Sequence, residues 1–464
     1  MDTAKRIAVT AVLGVAFAFL VYAILSSQLI LIAFFAVVGV AISFMVPRRY
    51  LMSMALWVFV LVPVGYMDVS RLYGRLFTPA LILMFLWMLR TFLAQRSSKL
   101  DRPTVRGVVI MALIVATLIV TLLFSTSVSA SALWVAVFLI AAILPTIAGQ
   151  LSTDDIWPTL RATLAWIGIF LFALALLDFL FAFNPWASLF KYAISDKSWS
   201  VFRTRTSLGH PLISSVVASV SLAACFFPGP NRRRLFYLVG IAASVGVIVL
   251  AVSRSGVIAA GLGIGFGVLT KLLSRNARQR ARGLVGLVVG GIALAVLAFS
   301  PLLNARNESS GGVGSVDYRT DVFGDAVSVW LSSPIVGVGP GQSVQVIADK
   351  FGQNLESSAL QLLVSVGVLG CLPIVIGLIA LGWRALRLGR AGALAALVSF
   401  VVGISGFSAI DAIPALLILM TPVIFVIMSP KTIADEDRVE PVDSSAANLR
   451  STTVDGSALT HSSR

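Results

Sequence analysis

Histidine and cysteine are almost missing from this chain, with two of each among 464 residues. Two histidines cannot build a His-rich metal centre, and no HExxH run or cysteine cluster occurs, so neither a metal nor a cofactor is expected. Cys225 and Cys371 both lie in apolar runs and read as small packing residues, not as a disulfide. Charge is scarce as well: only 12% of the residues are charged, about half the ~25% of an ordinary soluble chain. The GVGPG run at 337–341 lacks the Lys-Ser/Thr of a nucleotide-binding loop, so energy must come from the substrate or a gradient. The alternating ten-residue pattern of a membrane β-barrel is absent. No small-residue cleavage site follows Lys5 and Arg6, so no removable leader is expected.

What the chain does have is apolar surface, at 58% of residues, in blocks close to the ~20 residues that cross a bilayer as helix. Hydropathy places spans near 7–25, 29–46, 51–66, 76–94, 107–124, 132–148, 162–183, 207–227, 235–252, 256–273, 284–300, 356–381, 391–409 and 412–428. The fold class is therefore an all-α membrane protein, a polytopic bundle of about 12–14 transmembrane helices with a large extracytoplasmic loop. The transmembrane domain covers 1–430. The Ser/Thr/Asp-rich tail at 431–464 is too polar to build a core and is expected to be disordered in the cytoplasm.

The net charge of +15 reflects the positive-inside bias and not nucleic-acid binding. With both termini inside, 25 of the 35 basic residues fall on the cytoplasmic side. The ten that violate the bias are Arg71, Arg75, Lys191, Lys197, Arg203, Arg205, Arg254, Arg306, Arg319 and Lys350. Two outer segments are long. Residues 184–206 are aromatic and basic and suit the interface. Residues 301–355 open with a flexible Asn304–Gly314 run, after which Val322, Phe323, Ala326, Val327 and Trp330 recur at helical spacing until the turn SPIVGVGPG at 333–341.

Several residues on this outer side are candidates for chemistry. Arg254, in AVSRSG, either snorkels to headgroups or offers a planar fork for phosphate oxygens. Arg319, in DYRTDVFGDAVSVW, could pair locally with Asp317 or Asp321, and Arg203 and Arg205 could simply anchor the next span. Together, four arginines at span ends on a cation-poor face suit an anionic headgroup delivered by the membrane. Glu356 opens a span, as a dipole partner or a general base. His210 precedes Pro211 at another span start. Asp178 and Asp411 lie in or beside apolar runs, where ionisable groups are costly; the sequence assigns neither a role.

The order RTRTSLGHP (203–211), AVSRSG (251–256), YRTDVFGDAVSVWLSSPIVGVGPG (318–341) and ESSALQLLVSVGVLG (356–370) resembles the superfamily of O-antigen ligases and O-antigen polymerases (Wzy-type) over about 200–380. The resemblance implies a metal-independent integral-membrane glycosyltransferase (GT-C-like) of the bacterial inner membrane. Its donor would be an undecaprenyl-diphosphate-linked glycan and its acceptor a glycan or lipid-glycan, among membrane lipids and other polysaccharide-assembly proteins. It implies that Arg254 and Arg319 hold the diphosphate and that Glu356 is the catalytic base, with Arg203, Arg205 and His210 binding substrate. Ligases usually carry His-Asn where this chain has Glu356-Ser357, which favours a glycan polymerase over a ligase. A transporter of glycan or anionic solute is the alternative from another class, and a non-catalytic assembly scaffold a third.

Overall fold

The computed structural model describes residues 41, 45–62, 78–94, 103–152, 154–189, 202–227, 234–274, 276–298, 301 and 310–430. The spans expected at 7–25 and over most of 29–46, the loop start at 302–309, Arg71, Arg75, Lys191, Lys197, Arg306 and the tail at 431–464 lie outside the described residues.

Among the described residues every regular element is helical: α1 (Arg48–Leu61), α2 (Pro79–Ala94), α3 (Pro103–Leu123), α4 (Val128–Leu151), α5 (Trp157–Phe181), α6 (Pro211–Phe226), α7 (Arg234–Leu250), α8 (Arg254–Leu272), α9 (Ala277–Ala298), α10 (Ser310–Ser332), α11 (Ser343–Phe351), α12 (Ser358–Arg387), α13 (Ala391–Ser405) and α14 (Thr421–Met428). Of these, α4, α5, α8 and α12 are long and apolar enough to cross a membrane, and several shorter helices are equally apolar. The protein is thus an all-α membrane protein. Most of the helices fall within several residues of the hydropathy blocks because uninterrupted apolar sequence in lipid must satisfy its backbone internally; the block expected at 412–428 is instead a 3-10 helix, Pro414–Leu419, followed by the short α14.

Lipid tails are as apolar as leucine, so helix association here depends on close packing and buried polar contacts. The α8–α13 pair shows this directly. A Cβ at Gly263 would lie 2.5 Å from Ala395 O, so only glycine allows the approach, and Ser399 Oγ donates across it to Ala259 O at 3.0 Å. Arg161, expected in a cytoplasmic loop, is instead 3% exposed. Its Nε donates to Ala224 O at 3.2 Å and its guanidinium lies 4.3 Å from the Tyr237 ring centre, so the cation caps a helix end and stacks on an aromatic face.

The far end of the bundle is fixed by two arginines on the last turn of α14. Arg384 Nε and Nη2 donate to Ile427 O and Met428 O at 3.0 and 3.1 Å. Arg390 donates to Val426 O and, at 2.7 Å, to Ser429 O. These are the carbonyls a helix leaves unpaired, and the positive charge complements the C-terminal dipole.

Residues 310–357 pack on the opposite end. Helix α10 starts at Ser310, so the expected flexible run is helical over its last residues; tertiary context overrides the weak helix propensity of glycine and serine. The inward face of α10 is Val322, Ala326 and Val329. Phe323, expected on that face, is 53% exposed.

The turn after α10 is locked into a break in α12. Gly367 has φ 60° and ψ −170° inside that helix. The break frees backbone groups on both sides, and the turn takes them. Val338 N and Gly339 N donate to Val364 O and Ser365 O at 3.0 and 2.9 Å, while Val368 N and Leu369 N donate to Pro334 O and Ile335 O at 3.0 and 2.9 Å. A Cβ at Gly337 (φ 70°) would sit 2.4 Å from Ser365 O, and one at Gly367 would sit 2.3 Å from Ile335 O. Neither backbone conformation nor space admits a side chain there. The Pro-x-x-Gly-x-Gly turn and the Gly367 break are one structure.

Candidate active site

The four motif segments are linked in order: the first bonds to the second, the second reaches the third through Gly406, and the third bonds to the fourth. Residues 203–211 run back along the end of α7: Thr204 N donates to Leu250 O at 3.1 Å, and Arg203 Nε donates to Ala251 O at 2.9 Å. Arg203 is 5% exposed and braces the turn that presents Arg254. Thr206 (φ 53°) and Val252 (φ 48°) are β-branched residues in the left-handed region, at a cost of roughly 1–3 kcal/mol each. Both are fully buried or nearly so, and both belong to motif segments. Arg205 donates its backbone N–H to Asp178 Oδ2 at 3.1 Å, which gives Asp178 a structural task. His210 caps α6, its Nδ1 accepting from Leu212 N at 3.2 Å.

The hydroxyls continue inward. Ser215 Oγ donates to Ser253 Oγ at 2.8 Å, and Ser253 Oγ lies 3.1 Å from Ser255 Oγ while capping α8 through Gly256 N at 3.1 Å. Arg254, the first residue of α8, is exposed and makes no hydrogen bond or ion pair with a described residue. A guanidinium at a helix N-terminus adds to the positive end of the dipole instead of opposing it, an arrangement that suits an anion.

Ser255 packs on Gly406, where a Cβ would lie 3.0 Å from Ser255 Cβ. Gly406 O accepts from Arg319 Nη2 at 3.3 Å, and Arg319 Nε donates to Glu356 Oε2, also at 3.3 Å. Arg319 thus pairs with a carboxylate from another helix start. Side-chain exposures of 46% for Arg319 and 41% for Glu356 leave the pair open to solvent. It borders a cavity of about 310 Å³ that Phe323, Leu355, Leu360 and Ser405 also line. Phe323 is exposed because it forms this wall. The structure therefore joins Arg319 to Glu356 directly, while Arg254 is linked to the pocket only through its neighbour Ser255, which packs on Gly406. The other candidates, Arg203, Arg205 and His210, do not line the pocket.

Behind the pocket lies a polar knot that sequence reasoning did not connect. Asp411 is 2% exposed, and its Oδ2 accepts from Ser343 N at 3.3 Å and from the hydroxyls of Ser343 and Ser365. Asp411 N donates to Gln361 Oε1 at 3.2 Å, and Gln361 Nε2 donates to Leu355 O at 2.9 Å. Ser358 Oγ donates to Phe407 O at 2.8 Å and accepts from Ala409 N at 2.9 Å. These bonds clamp 405–411 against 355–361, and so fix Gly406 O and the backbone before Glu356 relative to one another.

Residues 238–375 match a family model, Wzy_C, described as O-Antigen ligase. The match runs from within α7 to within α12. It includes Arg254, Arg319, Glu356 and the turn locked at Gly367, and it supports the O-antigen ligase and polymerase superfamily for this stretch. Arg203, Arg205 and His210 precede it. No curated protein matches the chain.

Proposed function

We propose that this chain transfers glycan from a polyprenyl diphosphate carrier to an acceptor hydroxyl at the outer face of the bacterial inner membrane, with both termini cytoplasmic. The observation that carries the reading is the solvent-open pairing of Arg319 with Glu356 at 3.3 Å, beside Gly406, on which Ser255 from the start of α8 packs. In the reaction the acceptor oxygen attacks the anomeric carbon, the bond from that carbon to the diphosphate oxygen breaks, and the hydroxyl proton passes to Glu356. Negative charge grows on the departing diphosphate. Fixed guanidinium forks gain most when that charge is fullest, so Arg319 and Arg254 lower the barrier without requiring a metal. Binding of the diphosphate draws Arg319 away from Glu356, which frees the carboxylate to act as base.

Glu356 in place of the ligase histidine favours polymerisation, with the growing glycan as acceptor, over transfer to a lipid-glycan core. Deletion of the gene, followed by analysis of lipid-linked intermediates, tests both points. Single repeat units should accumulate. Accumulated long chains would make the protein a ligase, and an unchanged pool would remove glycan transfer altogether.

Export of a glycan or anionic solute is the second reading, and the broken helix at Gly367 is the feature that favours it. In transporters such breaks offer backbone groups to the cargo. Here the carbonyls of Val364 and Ser365 and the N–H groups of Val368 and Leu369 are already taken by the 334–339 turn, which favours the transfer reading.

A further inference from the structure

Glu356 stands in a stretch without regular structure, residues 353–357 between α11 and α12. Its carboxylate is held by Arg319, and in glycan transfer the diphosphate takes Arg319 away. A carboxylate on a loose stretch would then drift, and a misplacement of about 1 Å costs on the order of 10²-fold in rate. Two other side chains fix the backbone on which it stands. Tyr318 lies one turn before Val322 on the inward stripe of α10, and its ring packs on the cluster that includes Val322 and Leu355. That seating brings its hydroxyl to Asn354, where it donates to Asn354 O at 3.1 Å and accepts from Asn354 N at 2.7 Å. From α12, Gln361 is 0% exposed. Its Nε2 donates to Leu355 O at 2.9 Å, and its Oε1 accepts from Asp411 N at 3.2 Å. The two residues just before the carboxylate are thus held by two different helices, and neither grip uses Arg319.

We propose that Tyr318 and Gln361 are positioning residues for the transfer, holding the backbone at 354–355 while Arg319 passes from Glu356 to the diphosphate. The proposal rests on the transfer reading, with Glu356 as base, and adds to it how the base stays aligned once its ion-pair partner has left. Tyr318 and Arg319 are neighbours on one helix, so α10 grips the stretch twice, once through backbone and once through charge. Loss of the second grip leaves the first in place. Neither Tyr318 nor Gln361 lines the pocket, so both act through Glu356 and not on the substrate. Asn354 is exposed, so in Tyr318→Phe water takes the place of the lost hydroxyl while the ring keeps its packing. That substitution cuts the tether and spares the fold.

The test uses the full-length protein in phosphatidylethanolamine/phosphatidylglycerol nanodiscs, with undecaprenyl-diphosphate-linked repeat units as donor. Tyr318→Phe should lower kcat about tenfold or more and leave KM for the donor within about twofold. Amide hydrogen exchange should quicken in the peptide covering 353–357 and stay unchanged in α13. Val346→Ala removes packing from the same cluster but no hydrogen bond of the tether, so it should lower the unfolding midpoint and keep kcat. The decisive measurement is a double-mutant cycle. Added to Glu356→Gln, Tyr318→Phe should bring no further fall in the residual rate, because its effect passes through the carboxylate. A further tenfold fall in that background, an unchanged kcat for Tyr318→Phe alone, or unaltered exchange at 353–357 overturns the proposal. Gln361→Met, assayed on the folded fraction, should follow the same pattern, and a further fall in the Glu356→Gln background overturns its part. Faster exchange at 353–357 in a protein that transfers no glycan upholds the tether and removes the transfer reading. An inactive Glu356→Gln beside a fully active Tyr318→Phe removes the positioning role alone.

Discussion

Replacing Glu356 by glutamine separates a catalytic carboxylate from a structural one, because the two roles predict effects of very different size. The Arg319–Glu356 contact is 3.3 Å long, with 46% and 41% of the side-chain surfaces exposed. An ion pair so open to water is worth about 0.2–1 kcal/mol. Glutamine keeps an oxygen for Arg319 Nε, so Glu356→Gln should lower stability by less than about 1 kcal/mol and leave the thermal unfolding midpoint in detergent nearly unchanged. Loss of a general base costs about 10²–10⁴ in rate, or roughly 3–5 kcal/mol of barrier. The assay is polymer laddering from purified lipid-linked repeat units, with unfolding measured on the same preparation. Arg319→Lys supplies the companion result. Lysine offers the diphosphate a point charge where arginine offers a planar fork, so a fall of about tenfold or more is expected with the fold retained. A Glu356→Gln protein that polymerises at more than a tenth of the normal rate would refute the base assignment. One that loses several kcal/mol of stability would refute the view of the pair as solvent-open.

Arg254→Lys should not restore activity, because a point charge does not reproduce a bidentate grip on phosphate; a fully active lysine variant in the laddering assay takes Arg254 out of the mechanism. Asp411→Ala leaves the hydroxyls of Ser343 and Ser365 without their acceptor, where both serines are 0% exposed. A loss of about 3 kcal/mol is expected, read as a lower unfolding midpoint and faster proteolysis within 343–357. Gly367→Ala forces a Cβ against Ile335 O at 2.3 Å with φ at 60°. It should cost about 3 kcal/mol or more, visible as poor recovery of folded protein on size-exclusion chromatography.

The helices were legible in the sequence because a bilayer admits few ways to satisfy an apolar backbone, and block length alone marks them. The positive-inside bias makes Arg203, Arg205, Arg254 and Arg319 stand out as candidates. Partner choice was harder to read. Arg319 has acidic neighbours at 317 and 321, yet it pairs with Glu356, 37 residues away, because α10 lies across the start of α12. Asp411 was visible as a costly charge, but its hydroxyl partners are two serines, 68 and 46 residues distant, and nothing in the chain distinguishes them from other serines. Periodicity also assigned Phe323 to the buried face of α10. The inward stripe is set by Val322, Ala326 and Val329, and Phe323 was left to line a cavity that no local pattern announces.

The interlock at Gly367 has a practical corollary for anyone wishing to exchange specificity between bundles of this kind. The covering segment cannot be transplanted alone, since each of the four backbone bonds that lock its turn has a partner in residues 364–369 of the host. A chimaera carrying only 310–357 would arrive with a turn that has no matching gap, and would leave an unbroken helix competing for the same space. Residues 310–369 are the smallest module that travels with its own socket.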